Sequence, residues 1–168
     1  MTVFELYLLY FCEARRRKKT KKGKIENVDR WKILSWNIRG WETNKQHVQT
    51  VIEELDYPDI LFLQETKVKE GPHRPFLHGY TTTDIPERQK VEAARGIAIA
   101  WKKDRGIEAK QIDTKDIPWI LAMEISKEND LNRYVVVNVY MNSKDKENKE
   151  KSGRCGILPC VLFFVGSK

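Results

Sequence analysis

Residues 31–67 read WKILSWNIRGWETNKQHVQTVIEELDYPDILFLQETK, a strand–loop–helix–strand pattern. The first strand is expected over 33–36 and ends on Asn37; the second is expected over 59–64 and ends on Glu65. Between them, Val48, Val51, Ile52 and Leu55 recur at the i, i+3, i+4, i+7 spacing of a helix with one apolar face. Thr43 or Asn44 is placed to cap its first turn. A crossover of this length makes the two strands parallel neighbours. Asn37 and Glu65 then stand side by side at one sheet edge. An amide oxygen beside a carboxylate is a hard, oxygen-only pair of the kind that holds Mg²⁺. Both residues also have ordinary readings, since Asn closes turns and a Glu after a strand is usually solvated. Spacing alone leaves both open.

Outward from that stretch, charge is unevenly spread along the 168 residues. Residues 1–30 hold nine Lys/Arg and four Asp/Glu, net +5; residues 31–142 are at −1; residues 143–168 are at +3. The overall +7 therefore lives in the two ends, and pI is a poor argument that the folded part binds nucleic acid. The length allows one domain with a real core. Cys12, Cys155 and Cys160 are an odd number without a paired framework or CxxC spacing. That argues against a disulfide-built secreted domain and against a zinc site. The run 3–12, VFELYLLYFC, is too short to span a bilayer, and its positive charge follows rather than precedes it, unlike a signal peptide. It reads as a short amphipathic or artefactual leader; the expected setting is intracellular, with the nucleus as one option. Next come Arg15, Arg16, Arg17, Lys18, Lys19, Lys21, Lys22 and Lys24. Such a run is either a solvated, disordered tail or a nuclear-import or nucleic-acid-binding patch.

Beyond Glu65, residues 68–86 carry Gly71, Pro72, Pro75, Gly79 and Pro86 and read as loop; His73 and His78 fall in it, either of them open to a ligand role but, with no matching motif, more often bystanders. In the strand at 95–101, Ile97, Ile99 and Trp101 share one face and Ala98 and Ala100 the other, which suits a sheet packed on both sides. Residues 107–112 form a weaker strand after a turn at 103–106. Residues 119–125 and 133–140 form an antiparallel hairpin across an Asn/Asp-rich turn. In the second of these, Val135, Val137 and Val139 are expected to face the core, and Tyr134, Val136, Asn138 and Tyr140 the other way. Residues 143–154 are a charged, low-complexity linker, and 155–168 an atypical apolar end.

ILSWNIRG followed by DILFLQETK resembles the first two signature motifs of the endonuclease/exonuclease/phosphatase family: an Asn closing the first strand and a Gln-Glu pair closing the second. That superfamily includes abasic-site endonucleases, DNase I-like nucleases, retroelement endonucleases and inositol phosphatases. Asn138-Val139-Tyr140 resembles a third motif, Asn-x-Tyr, although Asn142 stands where Pro is usual. The resemblance implies an α/β fold, the N-terminal half of a two-layer DNase I-like β-sandwich with mixed sheets, flanked by helices. It implies catalytic roles for Asn37, Glu65 and Tyr140. It implies Mg²⁺ or Mn²⁺, weakly held by Glu65 and Asn37, with DNA or another nucleic acid as partner. The family's later Gly-Asp-x-Asn and Ser-Asp-His motifs find no match. Residues 161–166 resemble the strand that leads to the first of these, with Ser167 at the position of its Asp. The expectation is thus a partial domain over 31–142, with a leader and basic tail before it and the linker and apolar segment after it. It would be a truncated relative of a Mg-dependent phosphodiester hydrolase, of retroelement or abasic-site type, with the wording of the motifs nearer the former. The alternative is an inactive fragment acting as a nucleic-acid-binding or interaction module.

Overall fold

The strand–helix–strand core of the chain forms as its apolar pattern dictates. Strand β2, Arg30–Asn37, is followed by helix α1, Trp41–Glu54, and by β3, Ile60–Gln64. The two strands pair in parallel, with Ile33 opposite Ile60 and Asn37 opposite Gln64. This is a computed structural model, and it describes residues 8–13, 30–71, 75, 77–87, 95–115, 117–128, 133–140 and 160–166.

Two sheets result. The first is five-stranded and mixed, in the order β1-β2-β3-β5-β4, where β1 is Leu8–Glu13, β4 Tyr80–Ile85 and β5 Ile97–Lys102. The second is four-stranded and antiparallel, in the order β6-β7-β8-β9. Its strands are Ile107–Ile112, Ile120–Lys127, Arg133–Val139 and Cys160–Gly166. One turn of 3-10 helix, Lys103–Arg105, leads from the first sheet to the second and closes on Gly106 in the left-handed region.

Alternation along the first sheet sorts its side chains into two layers. Leu34, Trp36, Leu61, Leu63, Ala98 and Ala100 pack with Trp41, Val48, Val51 and Ile52 of α1. The opposite face, with Ile33, Ile60, Phe62, Ile97 and Ile99, packs with Leu121, Met123, Ile125, Tyr134 and Val136 of the second sheet. The alanines of β5 lie on the helix side and its isoleucines on the sheet side, as their alternation predicts. α1 is the one α-helix among the described residues, where helices in the plural were expected.

Three local readings differ from the sequence expectation. Helix α1 starts after Gly40 with no side-chain cap. Instead, the Trp41 N–H donates to the Thr66 carbonyl at 2.7 Å, and the Asn44 side chain turns back to the Ile38 carbonyl at 2.8 Å. The helix thus starts ahead of Thr43 and Asn44, and a neighbouring loop satisfies its first free N–H. Residues 80–85, expected as loop, form β4 on the sheet's edge; the flanking glycines and prolines hid a Thr-rich strand. The third concerns β8, where Tyr134, Val136 and Asn138 are buried and Val135, Val137 and Val139 are half-buried. The expectation had these faces reversed, because a polar Asn was assigned to the outside.

The segment read as a leader supplies β1, antiparallel to β2, and the apolar C-terminal segment supplies β9. β9 runs antiparallel to β8, with Cys160 opposite Val139 and Gly166 opposite Arg133. Its C-terminal end, Gly166, therefore lies at the far end of β8 from Tyr140. Ser167 itself, like the basic run at 15–24, lies outside the described residues. Among the described residues no helix is long and apolar enough to cross a membrane.

Candidate active site

The two sheets are tied together beneath one edge by a buried polar network. Gln64, the last residue of β3, and Asn138 of β8 are both fully buried. Gln64 Nε2 donates to Asn138 Oδ1 at 2.8 Å and to Ser35 Oγ at 3.1 Å. Asn138 Nδ2 donates to the Leu63 carbonyl at 3.1 Å and the Ala98 carbonyl at 2.9 Å. Four strands from two sheets, β2, β3, β5 and β8, are thereby fixed relative to one another. The buried Asn is tolerated because each of its polar groups finds a partner.

Glu65 follows Gln64 directly. Strict alternation would send its side chain to the α1 side with Leu61 and Leu63. Its backbone instead adopts φ 50°, in the left-handed region that non-glycine residues rarely occupy. Lys67 at φ 51° and Arg39 at φ 53° share that conformation nearby. Such residues cost about 1–3 kcal/mol each and persist only where surrounding structure holds them. Here the holding contacts are backbone bonds from Thr66 N to Gly96 O at 3.0 Å and from Lys67 N to Arg95 O at 2.8 Å. Gly96 is required for that approach: its φ is +79°, and a Cβ there would stand 2.4 Å from Thr66 Oγ1.

The turn delivers the carboxylate to the edge between the sheets. Glu65 Oε1 accepts from Asn37 Nδ2 at 3.0 Å and from the Tyr140 hydroxyl at 2.6 Å. Oε2 faces Lys67 Nζ at 3.8 Å and an Arg95 guanidinium nitrogen at 3.6 Å. The side chain is 14% exposed. Burial alone would raise its pKa, but the hydrogen bonds from Asn37 and Tyr140 and the charges of Arg95 and Lys67 outweigh that and hold it below the usual carboxylate value. Burial, then the hydrogen bond to Glu65 and its charge, push the Tyr140 phenol well above its ordinary pKa. Tyr140 therefore stays a hydrogen-bond donor at neutral pH.

The three residues singled out from sequence thus meet, drawn from the ends of β2, β3 and β8. Their orientation differs from the expectation at one point. Asn37 Oδ1 accepts the Arg39 N–H at 3.1 Å, so its amide nitrogen faces Glu65 and its oxygen does not converge with the carboxylate. Lys67 and Arg95 were missed. Lys67 is two residues beyond Glu65 in the QETK run and Arg95 directly precedes Gly96, but neither spacing by itself marks a site residue.

The donors at this edge fit a hard divalent ion in one way. Oε1 is engaged by two donors, which leaves Oε2 as the single carboxylate oxygen for a cation. Mg²⁺ keeps several waters and is commonly held by one or two carboxylates plus substrate phosphates. No group of three or more His, Cys, Asp or Glu able to hold a metal occurs among the described residues. His47 packs edge-on against Trp36 with ring centroids 5.5 Å apart, and His78 lies in the exposed turn before β4. His73 lies outside the described residues.

A search of the curated proteins returned no match. A family model, Endonuclease/Exonuclease/phosphatase family, matches residues 34–154, a span that contains Asn37, Glu65, Lys67, Arg95 and Tyr140. With nearly three-quarters of its length covered by that match, this chain belongs to the endonuclease/exonuclease/phosphatase family.

Proposed function

We propose that this chain is a DNase I-like, nuclease-type phosphodiester hydrolase domain, with Glu65 the carboxylate for a weakly held Mg²⁺ or Mn²⁺ and nucleic acid the partner. The observation that carries the reading is the convergence of Glu65, Asn37 and Tyr140 from three strands of two sheets. The family generally depends on divalent metal. When bound at Glu65, such an ion would polarise a phosphoryl oxygen and offset developing charge. The chain's own residues have separate tasks. Asn37, fixed by the Arg39 N–H, orients Glu65 by donating to Oε1. Tyr140 holds a neutral O–H at the same oxygen and can turn it to a phosphate oxygen. Lys67 and Arg95 make the edge net positive, so a phosphate entering there is attracted rather than repelled. The motif wording favours the retroelement-encoded type over the abasic-site type.

A second reading, binding without turnover, is favoured by one observation. In-line attack needs a base to raise the water, and among the described residues Glu65 belongs to no group of three or more His, Cys, Asp or Glu that could hold a metal and share that task. Incubation of the full chain with supercoiled plasmid and with abasic-site duplex in Mg²⁺ separates the two. Slow nicking that disappears in Glu65→Ala is the expected result. Binding without nicking establishes the second reading, and absence of both binding and nicking overturns both.

A further inference from the structure

Two large apolar side chains among the described residues are exposed, Tyr57 and Trp119, each at 37%. Tyr57 lies before β3, at the end opposite Glu65, and the Lys102 ammonium sits 5.6 Å from its ring centroid. Trp119 lies elsewhere. It precedes β7 directly, and its carbonyl accepts the Tyr140 N–H at 3.0 Å. That bond sets Trp119 next to Tyr140, one residue beyond the last register pair of the two strands, Ile120 and Val139. Residues directly opposed in an antiparallel pair have Cβ atoms about 4.5–5.5 Å apart on one face. Along β7 that face carries Leu121, Met123 and Ile125, all buried against the other sheet. Trp119 stands one residue before that strand, exposed, with its backbone bonded to that of Tyr140, whose phenol donates to Glu65.

We propose that Trp119 is a stacking platform for a nucleobase, so that the ligand of the Glu65 edge is a nucleic-acid strand rather than an inositol phosphate. The proposal rests on the reading of that edge as a phosphodiester site. Lys67 and Arg95 attract any phosphate and do not distinguish the two ligand classes. A flat indole does. Every base has a π face to lay on it, so the selectivity is for the presence of a base and tolerates any sequence. Inositol phosphates have no such face.

The test compares two labelled strands of equal length by fluorescence anisotropy with the full chain: oligothymidylate, and a strand of abasic tetrahydrofuran sugars. The basic run at 15–24 reads phosphates and so adds equally to both affinities, leaving their ratio to report the base. Stacking strengths per base predict a preference for the base-bearing strand of about 5- to 150-fold. In Trp119→Ala most of that preference is lost while affinity for the abasic strand is unchanged; Trp119→Phe, which keeps a π face, retains most of it. A ratio unaffected by Trp119→Ala, equal losses in the Ala and Phe variants, or binding of neither strand overturns the proposal. Failure of the Glu65 reading would look different. Mg²⁺ binding would then be indifferent to Glu65→Ala, while the base preference and its loss in Trp119→Ala would persist.

Discussion

Asn138→Ala tests the tie that holds the two sheets in register beneath the site. The substitution removes three hydrogen bonds, two donated to the Leu63 and Ala98 carbonyls and one accepted from Gln64. Buried neutral hydrogen bonds contribute about 1 kcal/mol net each, so the three account for about 3 kcal/mol. Gln64 Nε2 keeps Ser35 Oγ and the Phe62 carbonyl, which limits the penalty of leaving it unpaired. The small cavity adds about 1 kcal/mol more. The expected loss of about 3–4 kcal/mol is a large share of the about 5–15 kcal/mol that stabilises a domain. Urea denaturation followed by tryptophan fluorescence measures it, with an unchanged slope showing that the transition keeps its character. A double-mutant cycle with Gln64→Ala should return a coupling of about 1 kcal/mol between the two amides. A loss below about 1 kcal/mol for Asn138→Ala, or strict additivity with Gln64→Ala, would refute the claim that this pair joins the sheets.

Gly96→Ala meets Thr66 Oγ1 and a φ of +79°, so it should cost at least about 1–2 kcal/mol by urea denaturation; a neutral result would mean that Gly96 does not hold the 65–67 turn. The depressed pKa of Glu65 makes its stabilising contribution full above its ordinary value of 4.5 and lost as pH falls through the lower folded value. Urea midpoints taken from neutral pH into the acid range should therefore fall more steeply below 4.5 in the wild type than in Glu65→Gln, and parallel curves would contradict the assignment. Replacing the eight basic residues between Arg15 and Lys24 by Gln, which leaves β1 in place, should lower both nucleic-acid affinity and the steepness of its salt dependence; an unchanged salt slope would move the phosphate contacts onto the sheets.

What was legible in the sequence was what a local period encodes. Val48, Val51 and Ile52 announce α1, and the crossover length makes β2 and β3 parallel. The Ile97/Ala98 alternation correctly separates the two faces of β5. What was not legible depended on partners distant in sequence. Asn138 looked like a surface residue because its buried partner Gln64 is 74 residues away. The start of α1 at Trp41 was not legible because the bond that satisfies its first N–H comes from Thr66, across the sheet edge. Asn37 and Glu65 were legible as neighbours, yet the direction of the Asn37 amide was not, since a two-residue turn to Arg39 sets it. Lys67 and Arg95 join the site through the left-handed turn at Glu65 and Lys67, and no periodicity in the sequence reports a positive φ on those residues.

Calorimetric titration with Mg²⁺ decides whether Glu65 is the divalent-cation carboxylate of this edge. One carboxylate, already flanked by Lys67 and Arg95, should bind the ion more weakly than micromolar, and Glu65→Ala should abolish the signal. Micromolar binding that survives Glu65→Ala would put the metal elsewhere on the chain.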